Sequence, residues 1–360
     1  MIKKIFYQLI LAAFPLIQIY GQSDINDTCP VQADNQKKGF FLFSNDQILK
    51  ISIRFDLTDF LHKSKREISF DGIMTIHQAE NDSIEREITV KYRGTFRFEN
   101  CAFPSMQINL KKPIHAYCDT DKIKKLKMVS RCGTARIYDE YGLREYLVYK
   151  LYNAITDTSY RVRLLSITFT DTKNRRKPVT QYGFFIEPLD ILARRLNADI
   201  VKSKNLTQVN IVPEVMDRVA IFNYMIANWD WSVPGLHNIS VIKSRIIYDA
   251  GLGLSVPYDF DISGLVNADY SIPAEATGLK NARDRKYTGI CRSREVFEND
   301  LKSFLAKKEK LFSVVNDFSY LSEKSKKDII TFLNQFFIRI EKQKNLNSIT
   351  NELMNNCKSL

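Results

Sequence analysis

Histidine is scarce in this 360-residue chain, at four residues (His62, His77, His115, His237), and none of its six cysteines stands in a C-x-x-C pair. Structural zinc sites draw on closely spaced thiolate and imidazole pairs, so that class is set aside. G-x-S-x-G, H-E-x-x-H and G-x-x-x-x-G-K-[ST] are absent too. Nucleophile-elbow hydrolases, zinc peptidases and P-loop enzymes therefore have no support in the sequence. Gly251 and Gly253 make a lone G-x-G, too little for a dinucleotide fingerprint. No internal repeat and no long Gly, Pro or Ser linker is found, which favours two lobes of one domain over two independent domains.

What is present begins with a compartment signal. Lys3 and Lys4 precede an apolar run that ends near Gly21, the pattern of a signal peptide over residues 1–21 and hence of a periplasmic or secreted protein. Gln8, Pro15 and Gln18 interrupt the run, and no later stretch is long and apolar enough for a stable membrane span. Six cysteines form an even set that permits disulfides in an oxidising compartment; their pairing is left open, with Cys101 to Cys132 the first candidate. The formal charge of +12 is spread over lysine-containing runs at 122–127, 173–177 and 302–310. These read as solvated faces that favour anionic partners such as nucleotides or acidic glycans. No nucleic-acid-binding motif accompanies them.

After an N-terminal segment over 22–38, residues 39–188 read as β-rich. Alternating or β-branched runs fall at 49–55, 68–77, 84–92, 106–110, 164–170 and 181–187. One helix is expected within this half, over 140–156, where Leu143, Tyr146, Leu147, Leu151, Tyr152 and Ile155 recur at helical spacing. Residues 189–345 read as mainly helical, with helices at 190–196, 212–228, 294–308 and 324–343 and short strands at 239–243 and 246–250. Ser293 is placed as an N-cap. The polar tail, 346–360, is expected to fray. The fold class expected is α+β, two-lobed and protein-kinase-like: an antiparallel β-rich N-lobe with one long helix, and a mainly helical C-lobe.

Asn228, Trp229, Asp230 and Trp231 close a strongly apolar helix, and His237 and Asn238 precede the next strand. Tyr258, Asp259, Phe260, Asp261 then place two carboxylates around a phenylalanine. Phosphoryl transfer needs a carboxylate near the attacking hydroxyl, oxygen ligands for a divalent metal and a cation on the phosphates. Asp230 is the candidate for the first role, and Asn238, Asp259 and Asp261 for the second. These segments resemble the catalytic and metal-binding segments of atypical kinases of the spore coat protein H type. Tyr92-Arg93-Gly94 resembles that family's small-lobe R-G strand, Leu143 to Leu147 its R-N-Y-L-A helix, and Tyr182 to Glu187 its strand before the hinge. The resemblance implies a transferase that moves phosphate from ATP or another nucleotide, with Mg or Mn, to a protein or glycan hydroxyl. It casts Arg93, Lys111 and Glu187 as nucleotide-binding residues.

The pattern departs from the family in one place that bears on activity. Where the family carries a lysine in the strand after R-G, this chain reads Ser105, Met106, Gln107, Ile108, Asn109, Leu110, with Lys111 and Lys112 beyond it. An exported pseudokinase or binding protein, and a metal-dependent glycosyltransferase using D-x-D, are the alternative expectations.

Overall fold

A computed structural model of the protein describes residues 40–63, 65–79, 82–246 and 251–359. The expected signal peptide and the segment 22–38 lie outside these residues. β1 (Leu49–Phe55), α1 (Leu57–His62), β2 (Ser69–Ala79) and β3 (Asp82–Tyr92) come first, followed by α2 (Thr95–Asn100), β4 (Met106–His115) and β5 (Lys122–Ser130). The long helix α3 (Ile137–Ile155) leads into β6 (Val162–Asp171) and β7 (Val179–Ile186).

These seven strands form a closed barrel in the order β1-β2-β3-β4-β5-β7-β6. Every pairing is antiparallel except the seam, where β1 runs parallel to β6 from Leu49↔Leu165 to Phe55↔Asp171. This corrects the two-lobed, kinase-like expectation. An open antiparallel sheet would leave one face for the long helix, whereas closure turns that face inward and fills it with side chains. Ile51, Ile53, Phe55, Met74, Ile88, Ile108, Leu126, Met128 and Phe169 pack there, each obeying the period-2 alternation of its strand. Closure also removes both sheet edges.

The rest of the chain continues as α4 (Leu189–Arg195), β8 (Ala198–Val201), α5 (Pro213–Met225), β9 (Ile239–Ser244) and β10 (Leu254–Pro257). Four helices follow: α6 (Arg294–Leu305), α7 (Lys308–Asn316), α8 (Glu323–Glu341) and α9 (Gln343–Asn356). β10, β9 and β8 make a small antiparallel sheet. The second core joins Tyr146, Leu147, Tyr149 and Tyr152 of α3 to Phe222, Phe297, Leu333 and Phe336 of the C-terminal helices. Thus α3 packs with the helical part rather than completing a separate small lobe. β6 and β7 serve both cores, with Ile167 and Phe185 facing into the barrel and Leu164 and Phe184 facing the helices. Each large apolar side chain fully buried at this shared wall contributes about 1.5–3 kcal/mol.

Two local expectations also change. The tail does not fray, because Leu346, Ile349 and Leu353 put an apolar stripe on α9 that is buried against the helical core. The lysine-rich 122–127 is not simply a solvated face: it belongs to β5, with Ile123, Leu126 and Met128 turned into the barrel. The strand expected at 246–250 is not the partner of β9. That partner is β10, and residues 247–250 lie outside those described. Ser293 does cap α6, its hydroxyl accepting from the Val296 amide at 3.3 Å.

Cys101–Cys132 and Cys291–Cys357 are disulfide-bonded. Among the described residues, no helix is long and apolar enough to cross a membrane.

Candidate functional site

Between the outer wall of the barrel and the loops after α5 and β10 lies a cleft of about 470 Å³. Arg93, Gly94, Arg97, Ser105 and Val129 line it from the barrel side, and Trp229, Asp230, Asn238, Asp259 and Asp261 from the loops. The two loops are stitched by backbone bonds. The Tyr258 amide donates to the Asn238 carbonyl at 3.0 Å, and the Gly264 and Leu265 amides to the Ala227 and Ile226 carbonyls at 3.0 and 3.1 Å. Gly264 permits this approach, since a Cβ there would stand 2.6 Å from the Ala282 carbonyl oxygen and 2.8 Å from Ala227 Cβ.

Phe260 fixes the acidic pair. It is fully buried, edge-on to Tyr149 at 4.9 Å and to Phe222 at 5.9 Å, so its two neighbours are both carried to the cleft wall. The Asp259 amide donates to the Tyr149 hydroxyl at 2.9 Å. Asp259 and Asn238 both adopt left-handed backbone conformations, φ 64° and 51°, which non-glycine residues occupy at some cost and which cluster at functional sites.

Asp230 is held at both oxygens. His237 Nε2 lies 2.6 Å from Oδ1, and the Asn238 amide nitrogen donates to Oδ2 at 2.9 Å and to the Asp230 carbonyl at 2.8 Å. With its nitrogen so engaged, Asn238 presents its side-chain oxygen as the atom left for a cation. The Asp259 carboxylate makes no hydrogen bond or ion pair among the described residues. The Asn238 side-chain oxygen and the Asp259 carboxylate are donors of the kind a hard divalent ion takes. No group of three or more His, Cys, Asp or Glu side chains suited to a metal occurs among the described residues, so such an ion would depend on ligand oxygens and water for the rest of its shell.

Asp261 is engaged differently. Arg97 Nη2 donates to Asp261 Oδ2 and to Glu145 Oε2, each at 3.0 Å, while Nη1 donates to the Ser130 carbonyl at 2.9 Å. All three charged side chains are buried, Glu145 completely. Burial pushes the Glu145 carboxyl up to about 8, opposed by Arg97, and the Asp261 carboxyl up to about 6 against the same opposition. Burial disfavours the Arg97 cation, but Tyr270, Asp261 and Glu145 outweigh it and hold the guanidinium well above its ordinary range.

The proposed nucleotide-binding residues separate. Arg93 lines the cleft, and its guanidinium has no hydrogen bond or ion pair among the described residues. Lys111 lies outside the cleft, mostly exposed and paired with Glu87 at 3.1 Å. Glu187 also lies outside it, buried with its carboxylate consumed by Arg195, Tyr117 and the Arg161 amide. Arg283 and Arg285 are spent on Asp328 and on the Met225 and Phe332 carbonyls.

Two residues escaped the sequence reading. Lys127 of β5 sits beside the cleft with its ammonium 5.2 Å from the Tyr258 ring centroid. Burial brings it down to about 8, assisted by Arg93 and opposed by Asp259. Its signal was the pair Leu126 and Met128, two residues apart at the end of the lysine run with Lys127 between them. Arg97 follows Gly94, whose φ of 73° lets the chain turn from β3 into α2; no local pattern marks it.

No family model and no curated protein matches this sequence. Among solved structures, the crystal structure of a Helicobacter pylori proinflammatory kinase, CtkA, is similar over 69% of this chain and 94% of that one, at 10% identity and a TM-score of 0.36. A likeness this remote assigns neither activity nor residues to this chain.

Proposed function

We propose that the cleft binds a nucleotide with a divalent ion and transfers its terminal phosphate to a hydroxyl of a protein or glycan. The observation that carries this reading is a set of charges that make no ion pair among the described residues: Arg93 lines the cavity from the barrel side and the Asp259 carboxylate from the loop side, and Lys127 stands beside it over the Tyr258 ring. Charges removed from bulk water without partners are costly, and a polyphosphate with its metal would complete both sets at once. Asn238 and Asp259 would hold Mg or Mn, which when bound neutralises and aligns phosphate oxygens. Arg93 and Lys127 would bind the phosphates, taking the place expected for Lys111. Asp230, fixed in one orientation by His237 and Asn238, would position the acceptor hydroxyl and take up its proton. Two disulfides support placing this chemistry in an oxidising compartment.

A second reading, nucleotide binding without transfer, is favoured by one observation: both Asp230 oxygens are already engaged. The deciding measurements are the melting shift with ATP plus Mn, against Mn alone and against a nucleotide sugar, and the release of γ-phosphate to added hydroxyl acceptors. A metal-dependent ATP shift that disappears in Asp259→Ala supports the site. Phosphate transfer lost in Asp230→Ala supports the kinase reading, and a shift with no transfer supports binding alone. The absence of any nucleotide shift would overturn both.

A further inference from the structure

We propose that Arg97 is the resident counter-cation of Asp261, so that the cleft takes one divalent ion, held by Asn238 and Asp259, and not two. This rests on the phosphotransfer reading above and specifies its metal requirement. The two carboxylates that flank Phe260 look equivalent in sequence, and either or both would serve as metal ligands. Their surroundings differ. Asp261 Oδ2 accepts from Arg97 Nη2 at 3.0 Å, and the same nitrogen reaches Glu145 Oε2 at 3.0 Å. Side-chain exposure is 10% for Arg97, 1% for Glu145 and 12% for Asp261.

A magnesium-type ion ligated by Asp261 Oδ2 would stand about 2.0–2.1 Å from it and press against the guanidinium, and one on Oδ1, which accepts no hydrogen bond among the described residues, would share its carboxylate with that cation. Expelling Arg97 would break its buried bonds to Asp261, Glu145 and the Ser130 carbonyl and leave an unpaired cation to be accommodated elsewhere.

Arg97 is also anchored from both sides. Its Nη1 donates to the Ser130 carbonyl at the end of β5. The residue that closes α2, Cys101, is cross-linked to Cys132, two residues beyond Ser130. The helix and strand end that position the guanidinium are thus covalently joined. Asp259 has neither a cation nor a hydrogen-bond donor on its carboxylate among the described residues, and Asn238 has its amide nitrogen committed to Asp230. Two protein side chains, Asn238 and Asp259, remain for one ion, in line with a magnesium-type site that takes few protein ligands and completes its octahedron with phosphates and water.

The test counts Mn ions bound by the mature chain with a non-hydrolysable ATP analogue, by electron paramagnetic resonance of free Mn and by calorimetry. One ion per chain is expected. Asp261→Asn should keep that count with Mn affinity changed less than about twofold, whereas Asp259→Asn should weaken it by about tenfold or more. Two ions in the wild-type protein, or a tenfold loss in folded Asp261→Asn, overturns the inference while leaving the nucleotide site standing. The wild-type count decides even if Asp261→Asn fails to fold. If the wild-type protein binds the analogue with no Mn at all, or binds neither, the functional reading and this inference fall together.

Discussion

At the scale of single residues, the cleft separates charges that are satisfied from charges that await a partner. Arg97, Glu145 and Asp261 complete one another, whereas Arg93, Lys127 and Asp259 make no ion pair among the described residues. These two groups should respond to substitution in opposite ways. Lys127→Met removes a cation whose ammonium rests against Tyr258 and serves no ion pair among the described residues, so the fold should survive while binding of Mn and nucleotide weakens about tenfold, the cost of one charge-assisted contact. Titration calorimetry checks this, and unchanged affinity would remove Lys127 from the phosphate wall. Arg97→Met, by contrast, leaves the buried Asp261 without its cation and Glu145 without its donor and should cost about 3–5 kcal/mol of stability. Chemical denaturation measures that loss directly; a variant as stable as wild type would mean the ion pairs contribute little.

Individual elements show how those side chains are delivered. α2 has only six residues, too few to be stable alone, and it holds its place through the Cys101–Cys132 bond and the contacts of Arg97. The bridge spans 31 residues of sequence, for which loop-closure entropy gives about 2–4 kcal/mol. Replacing both cysteines by serine should lower stability by that amount and raise hydrogen exchange over α2 before the barrel strands open. Protection that falls uniformly across the chain would show that the bond acts on the whole fold and not on this helix. β5 teaches a related lesson. Its lysines hid a strand because one face of it meets solvent and the cleft, leaving only Ile123, Leu126 and Met128 to signal the barrel. α9 was hidden by the same kind of surface, since its polar residues outnumber the three that anchor it.

For the whole molecule, the two cores share β6 and β7, so the barrel and the helical part should unfold together. Global stability should also carry the signature of the buried triad. Glu145 has a folded-state value near 8 against an ordinary 4.5. Its contribution is therefore fully present below about 4.5 and is lost as pH rises through 8, because the native state retains a proton that the unfolded chain releases. The melting temperature should fall between pH 5 and pH 8, and Glu145→Gln should flatten that fall. An identical slope in the variant would locate the proton elsewhere.

The sequence by itself determined the strands with clean alternation, the long helix α3, the capping serine of α6 and the chain order of Asp230, Asn238, Asp259 and Asp261. Each of these is written within a few neighbouring residues, in side-chain period or in residue type. Only the tertiary structure decided that the sheet closes, because the parallel seam joins β1 to β6 across more than a hundred residues and no local pattern encodes that pairing. It alone decided the fates of the charges as well. Lys111 pairs with Glu87 on the surface, Glu187 with Arg195 in the interior, and Asp261 with Arg97, while Asp259, two residues away, remains open. Whether an ionisable side chain is spent or available depends on which distant groups the fold brings within about 3 Å of it, and that is a property of packing.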